Sequence, residues 1–344
     1  MSSGSSSGGR SVVVAGAGAI GRTAAYVLAR AGHAVTVVDP DPAGGRASRV
    51  AAGMLAPAFE SLFDDRERYE LLREALGLWP PLAREIDLPI ARDGAMAVGT
   101  RPQAVAWEAE LTALGAEAGL RDLGHGQWGA FCGEDCQLDA EAALERLRLS
   151  AQHERVRHVV GRVAGFADGE VEIAGAAPIL ADRLVIATGA DLGLAALAPE
   201  LTRLTPIKGH ILRAPGDCVA APALRAPGVY LCRTSHGVIL GASMEVGQAD
   251  TKVDAAVVDR LLASGARLAQ GLGDLAWTAS AGVRAATPDG LPMVGAGSTP
   301  GVILAVGARR NGWLLAPMIA EVVLAAVERR PRSRIGEQFD PHRF

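Results

Sequence analysis

Three glycines, Gly16, Gly18 and Gly21, stand at Gly-x-Gly-x-x-Gly spacing directly after the apolar run at residues 12–15. Each type suits a phosphate cradle: Gly16 permits the tight turn, Gly18 admits the phosphates, and Gly21 lets helix and strand close up. Ala19 and Ile20 open the helix that follows, whose free N–H groups and partial positive charge face an anion. Asp39, at the end of a second apolar run, stands where a carboxylate accepts hydrogen bonds from an adenosine ribose. The chemistry implied is the binding of a dinucleotide through its pyrophosphate.

The elements that position these residues follow from the pattern. Ile20, Ala24, Val27, Leu28 and Ala31 recur at helical spacing, Gly32 stops the helix, and residues 35–38 predict a buried strand, completing a βαβ unit. Residues 42–59 are small and low in periodicity, which suits backbone lying against a flat group. An amphipathic helix is expected over 65–78, ended by Pro80-Pro81. A strand at 95–98, a helix from Arg101-Pro102 to Leu114, a loop over 124–135 and a helix over 140–152 capped by Asp139 come next. Strands are expected at 156–160, 162–166, 171–173 and 184–187, the last ending in Thr188-Gly189. Further strands at 207–213, 228–233 and 238–242 precede a helix over 253–272. Strands at 281–286 and 302–306 and a helix from Gly312 to about Arg329 close the chain.

The chain has 344 residues, 49% hydrophobic and 21% charged, with a net charge of -4. That describes a globular protein of one large or two joined domains, without the basic footprint of a nucleic-acid binder. Residues 1–9 read as a flexible Gly/Ser leader outside the fold. The apolar stretch at 313–327 is interrupted by Glu321 and is too short to span a bilayer. Cys132, Cys136, Cys218 and Cys232 form no disulfide framework, so a cytoplasmic setting is expected. Cys132 and Cys136 lack a second ligand pair, and the seven histidines are scattered, so no metal site is expected.

Four segments in order, GAGAIG, ASRVAAGMLAPAFE, GVRAATPDGLPMVG and GARRNGWLLAP, resemble the glycine-oxidase (ThiO-type) branch of the D-amino-acid-oxidase superfamily. With weaker matches between them they cover about residues 11–328. The resemblance implies an α/β fold: a Rossmann-like FAD-binding domain of the glutathione-reductase/D-amino-acid-oxidase type, interleaved with an α+β substrate domain on an antiparallel sheet. The FAD-binding domain would take 10–84, 139–203 and 281–344, and the substrate domain 85–138 and 204–280. It implies noncovalent FAD, with Gly16, Gly18 and Gly21 at the pyrophosphate, Asp39 at the ribose and Ser48 at the phosphates. Ala51, Ala52, Gly53 and Met54 would run along the isoalloxazine, Val163 would meet the adenine side, and Thr188 and Gly189 would sit at the second strand turn. Gly282, Arg310, Asn311, Gly312, Trp313 and Leu314 would close the pyrimidine end.

The resemblance also implies a substrate site. Arg284 matches the anchor for a substrate carboxylate, Tyr230 a hydroxyl that assists, and Arg310 a second arginine near pocket and flavin. The expected reaction oxidises an amine alpha to a carboxylate, yields an imine that water hydrolyses, and reduces O2 to H2O2. Departures at Ala308, Gly228, Asp191 and Trp313 replace the family's usual residues and suggest a widened pocket. An N-substituted glycine, such as an N-carboxymethyl amino acid, is therefore expected over free glycine. The expected partners are an amino-acid-type small molecule and O2, with no nucleic acid or membrane and room for a homo-oligomer. Rival readings are a D-amino-acid dehydrogenase passing electrons to a quinone or other carrier, an NAD-dependent dehydrogenase, and a non-catalytic dinucleotide-binding protein.

Overall fold

The computed structural model describes residues 9–62, 64–216, 222–269 and 271–344; residues 1–8 of the leader, and Cys218, lie outside them. The first βαβ unit forms as expected: strand Ser11–Ala15, helix Ala19–Arg30, strand Ala34–Asp39. These strands sit inside a six-stranded sheet in the order Met293–Ala296, Val302–Val306, Arg183–Ile186, Ser11–Ala15, Ala34–Asp39, Arg157–Val160. All neighbours are parallel except the first pair. Alternation along one strand divides the core. Val12 and Val14 pack with Ala24, Leu28, Ala316 and Ile319 of helices Ala19–Arg30 and Gly312–Glu328, while Val13 and Ala15 pack with Val171 and Leu201 on the opposite face. Small residues at Ala24, Ala25, Ala316 and Ala320 let the two helices lie close. A parallel sheet buried on both faces needs this continuous apolar character.

A second, nine-stranded sheet carries strands from the rest of the chain. Thr205–Ala214 pairs antiparallel with Gly237–Gly241 on one side and with Thr278–Ala286 on the other. Val229–Thr234, Ala223–Ala226, Ala95–Gly99, Gln127–Cys132 and Ala118–Gly124 extend it. Leu212, Leu231 and Leu240 point to one face and pack with Val257 and Leu261 of helix Ala255–Gly265. The other face turns toward the loops that follow the βαβ unit, where Ala52 packs with Ile211, Cys232 and Ile239. The strand Thr278–Ala286 runs across residue 281, so the expected domain division there falls within a strand of this sheet.

Several local expectations are corrected. Residues 124–135 are not a loop: Gln127–Cys132 pairs with Ala118–Gly124 as a hairpin. The turn Gly124-His125-Gly126 has three positive φ values, 78°, 50° and 77°, which glycine supplies cheaply and which also imitate a long loop in sequence. Pro80 and Pro81 do not simply end a helix. They open a second one, Trp79–Glu85, because the first helical turn needs no N–H from them. The helix expected over 253–272 is confined to Ala255–Gly265, capped by Asp254. Strands Ala223–Ala226 and Met293–Ala296 were not expected.

Candidate active site

At the nucleotide end the chain closes on itself. Gly16 has φ 109°, and a Cβ there would lie 2.4 Å from the Ala187 carbonyl oxygen. A Cβ at Gly21 would lie 2.0 Å from the Gly16 oxygen, so only glycine lets helix and turn meet. No side chain of Gly18 caps the helix Ala19–Arg30; instead Ser48 Oγ accepts from Ala19 N–H at 2.9 Å, and a Cβ at Gly18 would lie 3.2 Å from that oxygen. Ile20, one residue on, is partly buried against the core. Asp39 accepts from Ala17 N–H at 2.7 Å and from Asp41 N–H at 2.8 Å, pinning the glycine turn before any ribose arrives. Arg22, which the motif did not single out, is buried and donates to the Ala17, Leu144 and Ala43 carbonyls at 2.8, 2.7 and 2.5 Å. Burial holds its pKa below the usual value.

The small-residue stretch is braced from three sides. Gly53 (φ 73°) passes so close to Leu138 that a Cβ would lie 2.1 Å from its carbonyl oxygen, and Gln137 Nε2 donates to the Ala52 oxygen at 3.0 Å. Trp313 Nε1 donates to the Ser48 oxygen at 3.1 Å. Arg213 Nη2 donates to the carbonyls of Arg49 and Val50 at 2.9 Å each and of Ala51 at 3.3 Å, capping helix Arg46–Val50. Gly282 packs on that helix, where a Cβ would meet Ala47 Cα at 3.3 Å. Ala51 thus enters the Ala52–Met54 backbone from a capped helix, and Met54 begins strand Met54–Leu55.

The remaining expected positions are spread around this core. Val163 is buried at the start of strand Val163–Ala167, opposite Ile173. Thr188 Oγ1 donates to the Asp191 oxygen at 3.2 Å, and Gly189 has φ 64°. Asp191, an unusual residue at its place, accepts from Arg162 Nη1 at 2.5 Å. Asn311 precedes helix Gly312–Glu328 without a side-chain cap bond, and Leu314 is buried just inside it. The glycine turn, the start of helix Ala19–Arg30 with the Ser48 hydroxyl beside it, and the Asp39 carboxylate are the donor and acceptor set a dinucleotide needs, so these residues fit FAD.

Arg284 and Tyr230 share one sheet face. Tyr230 is opposite Arg225 on one side and Gly241 on the other, Gly241 is opposite Ile211, and Arg284 is opposite Ile207, four residues from Ile211 along the same strand and so on the same face. The Arg284 guanidinium lies over Gly209, where a Cβ would meet Nη1 at 2.2 Å, and Nη1 donates to the Ser243 oxygen at 3.3 Å. The Tyr230 hydroxyl lies over Gly241 in the same way, 2.6 Å from the position of a Cβ. Burial pushes the Tyr230 hydroxyl well above the ordinary phenol range; Cys232 adds to this and Arg284 and Arg225 oppose it. Tyr230 is therefore a neutral hydroxyl donor at ordinary pH.

Arg310 reaches elsewhere. Its Nε lies 2.5 Å from Glu60 Oε2 and its Nη2 donates to the Glu60 carbonyl oxygen at 2.7 Å. The same buried carboxylate accepts from Arg225 Nη1 through Oε1 at 3.1 Å. Glu60, Arg225 and Arg213 were not singled out in sequence. Glu60 ends the short helix Pro57–Glu60, whose Ala58 and Phe59 N–H groups donate to buried Asp135 at 3.0 and 3.3 Å. Burial raises the Asp135 carboxyl to about 7, against the pull of Arg225. Among the described residues no group of three or more His, Cys, Asp and Glu is placed to hold a metal ion.

With a mostly parallel sheet carrying the nucleotide turn and a mostly antiparallel sheet, in which only Ala223–Ala226 and Ala95–Gly99 pair parallel among the described strands, presenting an arginine, the molecule has the layout of a flavin-dependent oxidoreductase. The chain belongs to the FAD dependent oxidoreductase family, whose model matches residues 11–326. It is similar to the glycine oxidase of Geobacillus kaustophilus, 27% identical over 351 residues covering 93% of each chain. It is also similar to the D-amino acid dehydrogenase of Cereibacter sphaeroides, 27% identical over 410 residues, 93% of this chain and 92% of that one. Of the bifunctional ThiO/ThiG protein of Trichormus variabilis, 29% identical, it spans 55%. Two solved structures share the fold. Glycine oxidase from Geobacillus kaustophilus has a TM-score of 0.85 at 24% identity, covering 98% of this chain and 100% of that one. Iminodiacetate oxidase from Chelativorans sp. BNC1 has a TM-score of 0.85 at 22% identity, covering 96% and 98%. The protein is an FAD-dependent oxidoreductase of the glycine oxidase/D-amino-acid oxidase type. Among the described residues, no helix is long and apolar enough to cross a membrane.

Proposed function

We propose that this enzyme oxidises an N-substituted glycine at its glycyl carbon. The observation that carries this reading is the pairing of Arg284 and Tyr230 on one sheet face beside the Ala52–Met54 segment. Arg284 presents parallel donors to the substrate carboxylate, about 1.5–3 kcal/mol per charge-assisted bond, and neutral Tyr230 adds a further donor. Bound FAD supplies the two-electron acceptor. The protein's task is orientation: it holds the glycyl C–H toward the cofactor while the amine lone pair forms the C=N bond. Water then adds to the imine and releases glyoxylate and the amine, and dioxygen ends as hydrogen peroxide. A substituent on nitrogen has room in the cavity of about 380 Å³ that Met54 and Arg225 line. The similarity to proteins named glycine oxidase and iminodiacetate oxidase supports the same substrate class.

The second reading keeps the fold and changes the electron acceptor, as the similarity to a D-amino acid dehydrogenase suggests. Anaerobic titration of the holoenzyme with glycine, sarcosine, D-alanine and longer N-alkylglycines separates substrates by flavin bleaching. Bleaching by N-alkylglycines ahead of D-alanine is expected, with stoichiometric peroxide after air is admitted. Bleaching by D-alanine alone, without peroxide, would replace this proposal with the dehydrogenase.

A further inference from the structure

Beside Tyr230 stands a guanidinium that the carboxylate anchor does not use. Arg225 faces the same side of the sheet, directly opposite Tyr230 in register, and its side chain is only 15% exposed. Its donors are poorly met. Among the described residues Nη1 reaches Glu60 Oε1 at 3.1 Å, Nη2 meets only the Met54 sulfur at 3.1 Å, and buried Nε has no hydrogen-bond partner. A thioether is a weak acceptor, and a buried cation with unmet N–H groups is costly. Glu60 does not balance it, because Arg310 holds the other oxygen of the same carboxylate. Asp135, the other buried acid nearby, has its oxygens engaged by Ala58 and Phe59 N–H. One positive charge is left over, walled by the Phe59 ring 5.5 Å away.

We infer that Arg225 receives a second acidic group, carried on the nitrogen substituent, so that the preferred substrate is an N-substituted glycine bearing two carboxylates. This rests on the proposed function, with Arg284 taking the glycyl carboxylate. Charge supports the assignment: Arg225 and Arg284 flank Tyr230 and Arg310 joins Arg225 on Glu60, while burial keeps a proton on Asp135 below about pH 7, so negative charge is in deficit there. Arg225 and Met54 also line a cavity of about 380 Å³, enough for a substituent larger than methyl. Arg233 as well as Asp93, Asp135 and Asp139 line the same cavity, so it is the unmet Arg225 Nε, and not the cavity's charge as a whole, that marks where the acidic group sits.

The test uses holoenzyme and two acids with a thioether in place of the amine, which cannot form an imine: thiodiacetate and (methylthio)acetate. Isothermal titration should give thiodiacetate at least about tenfold tighter binding, the effect of one added charge-assisted contact. Arg225→Met should bring the two affinities together while FAD stays bound, and Arg225→Lys should restore part of the preference. Equal affinities in the wild type, or a preference that survives Arg225→Met, would overturn the inference. If (methylthio)acetate binds and Arg284→Ala abolishes that binding, but no dicarboxylate preference exists, only this inference falls. If neither acid binds, the proposed function falls with it.

Discussion

At the glycine turn the chain satisfies itself: backbone meets backbone, Asp39 and Ser48 take the free N–H groups, and Arg22 ties the loop to two other segments. At the Tyr230 face the reverse holds. Arg225 keeps an unmet buried nitrogen, Arg284 makes a single long bond to a carbonyl, and two arginines share one acid. The first region is shaped by what cannot fit, since a single Cβ would collide. The second is shaped by charge that a ligand must complete. Substitutions should therefore act differently in the two places: steric changes at the turn should cost cofactor and stability together, and charge changes at the face should cost turnover with the fold intact.

The largest effect is expected at the face. Arg284→Ala removes the guanidinium over Gly209 and its long bond to the Ser243 oxygen. Losing two charge-assisted bonds to the carboxylate should lower kcat/KM by about 100-fold or more. Bound FAD, read as flavin absorbance per chain, should stay at the wild-type level. A variant that turned over normally would show that Arg284 is a structural arginine and would break the contrast.

A smaller effect is expected at the turn. In Gly21→Ala the new methyl carbon would lie 2.0 Å from the Gly16 oxygen, so helix and strand must part. Overpacking of this kind costs about 1–3 kcal/mol. Thermal unfolding and flavin content should fall together, and the residual flavin-bearing fraction should keep its kcat. A stable, colourless Gly21→Ala protein would instead mean that the glycine serves the ligand alone.

The contrast also explains what could be read from sequence. The glycine turn is local: its residues lie within one strand–turn–helix, and each has a steric reason that spacing alone conveys. Arg284 became legible through the resemblance of its strand and the following Ala285-Ala286-Thr287-Pro288 turn. Arg225 and Arg213 gave no such signal, because their meaning depends on register between strands far apart in sequence, and Glu60, though it closes a resembling segment, was not marked out within it. Arg225 counts only because it lies opposite Tyr230, and Glu60 only because Arg310 arrives from the far end of the chain. Arg213 looked like any arginine at a strand end until its guanidinium met the carbonyls of Arg49–Ala51. The hairpin over 118–132 was missed for a different reason. Its turn glycines carry the same signal as an extended loop, and Gly129 weakens the strand pattern beyond them.

The smallest expected effect joins the two regions through pH. Asp135 sits under helix Pro57–Glu60, its ordinary value of 3.8 raised by burial to about 7 and opposed by Arg225. Between about pH 4 and 7 the folded chain therefore keeps a proton that the unfolded chain has released. Fewer protons bound in the unfolded state means that stability falls as pH rises through this window, and the full loss is present above it. Asp135→Asn removes that titration, so its melting temperature should change less between pH 5 and pH 8 than that of the wild type, whatever its absolute level. Arg225→Met removes the nearest opposing charge, so the window should extend upward past pH 7. If the pH slope in Asp135→Asn equalled that of the wild type, the buried acid would be ionised throughout, and Arg225 would already have its second partner without any substrate.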